Sequence, residues 1–315
     1  MPRAKTTDQE FMSVFDAVGA TKASLLLGVT ERNVYARRER LEGKYGPISA
    51  PSKQAVEYPG RVPLSIKNGT ILVGSDFHIW PGPMSTCQRA FLKFCKDIQP
   101  TAVILNGDVM DFPRISRHPQ NWESAPDPQQ EIEATQDYLS DLVNACPRRT
   151  QRYWTLGNHD ARFELMIASS APQYRGVKGV HLSDHFSAWT KAMSCYVNEG
   201  VPGGATMIKH IPKGGGIGAT RNTTLNAGVS TVNGHLHSQN VRPFSDYNAF
   251  DRYGVDTGMV ADKEHRAFSY CQDSALDWRS GFALLTYRDC RLMYPELITK
   301  WSPNQVQFRG EIIRV

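Results

Sequence analysis

The 315-residue chain reads as an α/β protein with a small all-α module in front of the α/β part. Three observations predict it. From Thr70 onward, short apolar runs of strand length end in clusters of Asp, Asn and His, and helical stretches separate the early ones. Residues 1–45 carry helix patterning without a strand signal. Between the two, 46–69 sets Gly46, Pro47, Pro51, Pro59, Gly60 and Pro63 among polar residues, a composition that resists helix and sheet alike. The expected organisation is a helical module at 1–45, a linker at 46–69 and an α/β domain at 70–315.

In chain order, DQEFMSVFDAVG (8–19), TKASLLLG (21–28) and TERNVYARRERLE (30–42) predict helices. TILVGSDFH (70–78), TAVILNGDVMD (101–111), RYWTLGNHD (152–160), ATMIKH (205–210), STVNGHLH (230–237) and RYGVDTGMV (252–260) predict strands running into polar ends. Helices are expected between the early strands, at STCQRAFLKFCKDI (85–98), QQEIEATQDYLSDLVNAC (129–146) and ARFELMIAS (161–169). GFALLTYRD and RLMYPELI form a hairpin across Asp289–Cys290. The glycines of 213–218 are not a nucleotide-binding loop, because Lys213 precedes them and no Gly-Lys-Ser/Thr closes the segment.

Composition narrows the function. No run of about 18 apolar residues exists, so no membrane span is expected. The basic start MPRAKTTDQEF leads into no apolar stretch and does not read as a secretory signal. The six cysteines are widely spaced with no C-x-x-C pair, which suits thiols in a reducing compartment and predicts a cytoplasmic protein. The net charge is +5, and residues 1–69 hold eleven Lys/Arg against seven Asp/Glu. That concentration suggests an anionic partner for the N-terminal part.

Five of the strand ends bring together Asp76 and His78, Asp108, Asn158 and His159, His210, and His235 with His237. In α/β sheets, ligands gather at the C-terminal ends of strands. If strand pleating persists, Asp76 and His78 share a face, as do His235 and His237. Carboxylates and imidazoles without thiolates suit divalent ions, Mn²⁺ foremost, with Fe²⁺, Zn²⁺ or Ni²⁺ as alternatives. Seven ligands are too many for one tetrahedral site and fit two ions sharing a carboxylate.

The D-x-H of Asp76-Phe77-His78, G-D-x-x-D of 107–111, G-N-H-D of 157–160, His210 and the G-H-x-H of 234–237 resemble the calcineurin-like metallophosphoesterases in order and spacing. The resemblance covers roughly 70–290. It implies a four-layer sandwich of two mixed β-sheets flanked by helices, and a two-metal phosphoesterase. It implies Asp76, His78 and His237 on one ion, Asn158, His210 and His235 on the other, and Asp108 between them. His159 matches the residue that contacts the scissile phosphate or protonates the leaving oxygen, and Asp111 the carboxylate that orients it. The protein-phosphatase branch continues with Arg-Gly after the second Asp and ends its motif G-N-H-E. Here Phe112-Pro113 and Asp160 stand instead, which leans toward nucleases and phosphodiesterases.

Leu27 to Tyr35 resembles the turn and recognition helix of a helix-turn-helix, with Gly28 in the turn and Thr30 as N-cap. Ala23, Leu27, Val29 and Val34 are expected to pack between the helices. Arg32, Asn33, Arg37, Arg38 and Arg40 would then meet DNA. The layout resembles phage-encoded metallophosphoesterases with an appended DNA-binding segment. A DNA phosphodiesterase or nuclease is therefore expected. The alternatives are a phosphatase or cyclic-nucleotide phosphodiesterase, and a DNA-binding regulator on a phosphoesterase scaffold. Arg114, Arg117 and Arg162 follow the site motifs and are further candidates to meet phosphate.

Overall fold

The computed structural model describes residues 6–45, 58–116, 125–245, 247, 250–271 and 276–315. The chain divides into two compact units, Met1–Glu57 and Tyr58–Val315.

In the first unit, α1 (Asp8–Leu27) is interrupted at Gly19, whose φ of 71° breaks helical geometry and separates the two expected helical stretches. Thr7 and Glu10 close a reciprocal capping box at its start, and left-handed Gly28 ends it. The second helix, α2 (Glu31–Tyr45), begins where the Thr30 hydroxyl accepts the Asn33 N–H at 3.3 Å. Phe11, Phe15, Ala23, Val34 and Leu41 form the core, with Leu27 packed against it. Val29 departs from expectation: it is 42% exposed. Its N–H closes the turn onto Ser24 O, and that turn leaves its side chain outside the helix pair.

The second unit holds two sheets. One has six strands in the order β1 (Val62–Leu64), β6 (Cys195–Val197), β7 (Thr206–Ile208), β8 (Ser230–Asn233), β10 (Arg252–Asp256) and β9 (Asn240–Phe244). The other runs β15 (Glu311–Arg314), β14 (Gln305–Phe308), β13 (Glu296–Ser302), β11 (Gly281–Arg288), β2 (Gly69–Gly74), β3 (Ala102–Leu105), β4 (Gln151–Thr155) and β5 (Thr190–Ala192), with β12 (Arg291–Leu292) paired to β11. The β11–β12 hairpin turns through Asp289 and Cys290, both at positive φ, as a tight twisted hairpin requires. β1 lies within the stretch expected as linker. Val62 and Leu64 enter the core, while Pro63 faces out on an edge strand that needs no donor there. Residues 46–57, the first part of that stretch, lie outside the described residues.

The sheets pack through one apolar layer in which Ile71, Val73 and Ile104 from one sheet meet Val197, Ile208 and Val232 from the other. On the outer faces, α3 (Thr86–Ile98) and α4 (Pro128–Ala145) pack together, α3 lying against β11, β13 and β14, and α7 (Ala219–Ala227) covers β8 and β10. This is the expected sandwich of two mixed sheets between helices. Two further helices, α5 (Asp160–Ser170) and α6 (Leu182–His185), follow β4. Among the described residues, no helix is long and apolar enough to cross a membrane.

The layering positions the site. Strands β2, β3 and β4 are mutually parallel, as are β7 and β8 in the facing sheet. Their C-terminal ends carry the loops that hold the Asp/Asn/His clusters.

Candidate metal centre

The strands stop short of the residues that matter. β2 ends at Gly74 and β8 at Asn233, so pleating does not align Asp76 with His78 or His235 with His237. Left-handed backbone does so instead, with φ of 55° at Asp76, 41° at His78, 50° at Asp108, 73° at His235 and 59° at His237. Such conformations cost a non-glycine residue of order 1–3 kcal/mol each and gather at functional sites. The backbone is held there by bonds between loops: the Asp76, His78 and Ile79 N–H groups donate to the carbonyls of Gly107, Asp108 and Val109.

Two motif glycines are required by close approach. A Cβ on Gly107, itself at φ 82°, would strike the His210 ring, and one on Gly157 would strike the Asp108 carboxylate. Asp160 ties the same loops together. Its carboxylate accepts N–H bonds from Asp108, Val109, Met110, Gly157 and the Trp154 indole at 2.9–3.3 Å.

The potential ligand atoms of Asp76, His78 and His237 lie within 4.8 Å of one another, and so do those of Asp108, His210 and His235. The groups adjoin through His210, whose Nε2 is 3.1 Å from Asp108 Oδ2 and 4.0 Å from Asp76 Oδ1. His210 Nδ1–H donates to Asn106 O at 2.7 Å, which leaves Nε2 as the nitrogen that could face a cation. Both nitrogens of His78, Nε2 of His210, Nδ1 of His237 and Oδ1 of Asn158 are buried without a hydrogen-bond partner. Buried polar atoms normally have one, and this set of imidazole nitrogens and an amide oxygen fits divalent cations.

Charge points the same way. Burial opposes ionisation of Asp76 and Asp108, yet the imidazoles around them (His237 and His210 for the first, His210 and His159 for the second) hold both carboxyls below their ordinary range. Burial likewise opposes a charged His210, and Asp108 and Asp76 override it, pushing its pKa up to about 10. A proton drawn so strongly between two buried carboxylates marks a place that demands positive charge.

His159 stands beside this pair. Its Nδ1–H donates to Asp111 Oδ1 at 2.5 Å, its backbone N–H donates to Asp108 Oδ1 at 2.8 Å, and Nε2 lies 3.1 Å from an Arg162 guanidinium nitrogen. Burial works against a charged ring there, and Asp108 and Asp111 outweigh it and raise its pKa. Asp111 also approaches His78 Nδ1 at 3.5 Å. Of the other arginine candidates, Arg114 bonds to Ala125 O, and Arg117 lies outside the described residues.

In the helical unit, Arg32 and Asn33 are exposed. Arg37 pairs with Asp8 at 2.9 Å and lies over Phe11, Arg38 pairs with Glu42 and lies over Phe15, and Arg40 reaches Asp8 at 3.3 Å.

Sequence reasoning missed three contributors. Asp160 closes the G-N-H-D motif and marks a departure from the protein-phosphatase pattern, but nothing in the sequence points to the five N–H donors it holds. Glu131 looks like a surface residue of α4, yet it is fully buried and accepts the N–H groups of Asp111 and Phe112. The aromatic wall formed by Phe268 and Trp278 against His78 and His237 comes from a segment without a motif.

The sequence profile of the calcineurin-like phosphoesterases matches residues 69–257. Among solved structures, Vps29 of Entamoeba histolytica, crystallised with zinc, is similar at 13% identity over 78% of this chain and 98% of its own, with a TM-score of 0.39. No curated protein sequence matches the chain.

Proposed function

The chain belongs to the calcineurin-like phosphoesterase family, and on that premise we propose that it is a two-metal phosphodiesterase acting on DNA. The observation that carries this reading is the pair of adjoining ligand groups around Asp76 and Asp108, with His159 beside them. Asp76, His78 and His237 would hold one cation, and Asn158, His210 and His235 the other, with Asp108 shared. When bound, such a pair supplies Lewis-acid polarisation of the phosphoryl oxygens and a nucleophile at neutral pH.

The remaining work falls to the chain's own groups. Asp111 holds the Nδ1 proton of His159, so the ring presents Nε2 to the substrate side. Asp108 and Asp111 raise the pKa of His159, so the ring can carry a second proton on Nε2; as the P–O ester bond breaks, the leaving oxygen takes that proton and the ring returns to the neutral form held through Nδ1–H by Asp111. General acid help of this kind contributes about 10²–10⁴ in rate. Arg162 donates to the Asp111 carbonyl at 2.7 Å and lies 3.1 Å from Nε2, and exchange of the second contact for a phosphoryl oxygen would bring its charge to the substrate.

Two features favour a diester of DNA over a phosphoprotein. Phe112-Pro113 and Asp160 depart from the protein-phosphatase pattern, and Asp160 spends its carboxylate on five N–H donors. The helical unit exposes Arg32 and Asn33 on α2, where a recognition helix would present them. A panel at equal enzyme after Mn²⁺ loading tests the reading: a chromogenic phosphodiester, the matching monoester, single- and double-stranded DNA, RNA, cyclic nucleotides and a phosphopeptide. Turnover of the diester and of DNA above the others is expected. Preference for the phosphopeptide or monoester would overturn it.

A further inference from the structure

A cleft of about 900 Å³ opens beside the metal centre, and His78 forms part of its wall. Among polar and charged side chains, three tryptophans line it, Trp80, Trp278 and Trp301, together with His265. The rings interlock. Trp80 meets His265 edge-on at 5.2 Å, Trp278 meets His237 at 4.4 Å, and Phe268 bridges Trp278 at 5.2 Å and His78 at 4.9 Å. Ring contacts thus connect two candidate metal ligands to Trp278 in the cleft wall. At its outer side, Trp301 at the end of β13 is 58% exposed.

The charged residues described in the cleft each have an acidic or basic neighbour. Lys300 pairs with Asp262 at 2.8 Å and with Glu264 at 3.3 Å, Arg279 pairs with Asp277 at 3.2 Å, and exposed Lys263 lies 4.0 Å from Glu264. A neutral planar group finds aromatic rings there. A phosphodiester at the metal centre carries two ester arms, and the arm turned toward His78 enters this cleft.

We propose that the cleft walled by Trp80, Trp278 and Trp301 binds the unpaired nucleobase of the nucleoside esterified to the scissile phosphate. The proposal rests on the phosphodiesterase reading and narrows its substrate to nucleosidic diesters with the base out of the duplex stack. Aromatic side chains hold unpaired bases in this manner with little regard to base identity.

The test compares thymidine 5′-(p-nitrophenyl phosphate) with methyl p-nitrophenyl phosphate on the Mn²⁺-loaded full chain. Wild type is expected to favour the thymidine ester in kcat/KM. Trp301→Ala should cut that preference by about 5- to 150-fold, the worth of one stacked base, and Trp301→Phe should restore most of it. A preference unchanged in Trp301→Ala overturns the proposal. Binding without turnover gives the second arm, by quenching of tryptophan fluorescence with a phosphorothioate tetrathymidylate and its abasic counterpart. Tighter binding of the base-bearing strand, weakened by Trp301→Ala, supports the cleft even if no diester is hydrolysed, in which case the phosphodiesterase reading alone fails. Equal binding of the two strands overturns the cleft even if both diesters are hydrolysed.

Discussion

Replacing Asp160 with asparagine tests whether one carboxylate holds the loops of the metal centre. Oδ2 accepts from the Asp108 and Gly157 N–H groups and the Trp154 indole at 2.9 Å, and Oδ1 accepts from Val109 at 2.9 Å and Met110 at 3.3 Å. An amide keeps one oxygen, which serves the three-donor side best, and turns its NH₂ on the Val109 and Met110 donors. Each buried donor left unsatisfied costs about 1–3 kcal/mol, so the loss is about 2–6 kcal/mol. At about 2–4 °C per kcal/mol for a unit of this size, Tm should fall by roughly 5–20 °C. Asp160→Ala removes all five bonds and approaches the whole stability of an ordinary domain, about 5–15 kcal/mol. The assay is thermal unfolding in chelator, so that metal binding does not contribute, with exposed Asp141→Asn as control. A Tm for Asp160→Asn equal to that of the control would refute the reasoning.

Further outcomes follow from the same geometry. His159→Ala should retain metal while kcat on a chromogenic diester falls by about 10²–10⁴; loss of metal in this variant would contradict its assignment to the leaving group. Arg32→Ala, on an exposed residue of α2, should flatten the dependence of log K for duplex DNA on log salt by about 0.9, read by fluorescence anisotropy. Arg38→Ala removes a guanidinium already bonded to Glu42 and lying over Phe15, so its effect should appear in stability instead. His181 donates to Glu164 from Nδ1 and to the Arg175 carbonyl from Nε2, and the bond to Glu164 raises its pKa above the ordinary 6.5. The stabilisation is therefore fully present below about pH 6.5 and is lost as pH rises through the raised value. The stability gap between wild type and His181→Gln should close over that interval, and a gap that widens with pH would be the wrong sign.

Strands β2 and β3 were legible because they hold central, buried runs, Ile71–Val73 and Val103–Leu105, where apolar continuity is the whole signal. Strand β5 (Thr190–Ala192), three residues with Lys191 in the middle, carries no apolar run to reveal it. That these Asp and His residues gather in one place was legible from motif order, but the means of their assembly was not. A two-residue spacing suggests pleating, whereas the left-handed backbone at Asp76, His78, His235 and His237 depends on partners far away in sequence. Asp160 and Glu131 were opaque for the same reason. Their carboxylates serve backbone donors 50 and 20 residues distant, and a backbone N–H has no residue type to read.

Metal content measured together with turnover tests the central claim most directly. Wild type dialysed against chelator should lose hydrolysis of a phosphodiester, and Mn²⁺ should restore it as about two ions per chain are bound, as a two-metal site requires. Asp108→Ala, which removes the carboxylate at the junction of the two ligand groups, should bind less metal and stay inactive after the same treatment. Full activity of the dialysed wild type in excess chelator, or an Asp108→Ala variant with undiminished metal, would contradict the account.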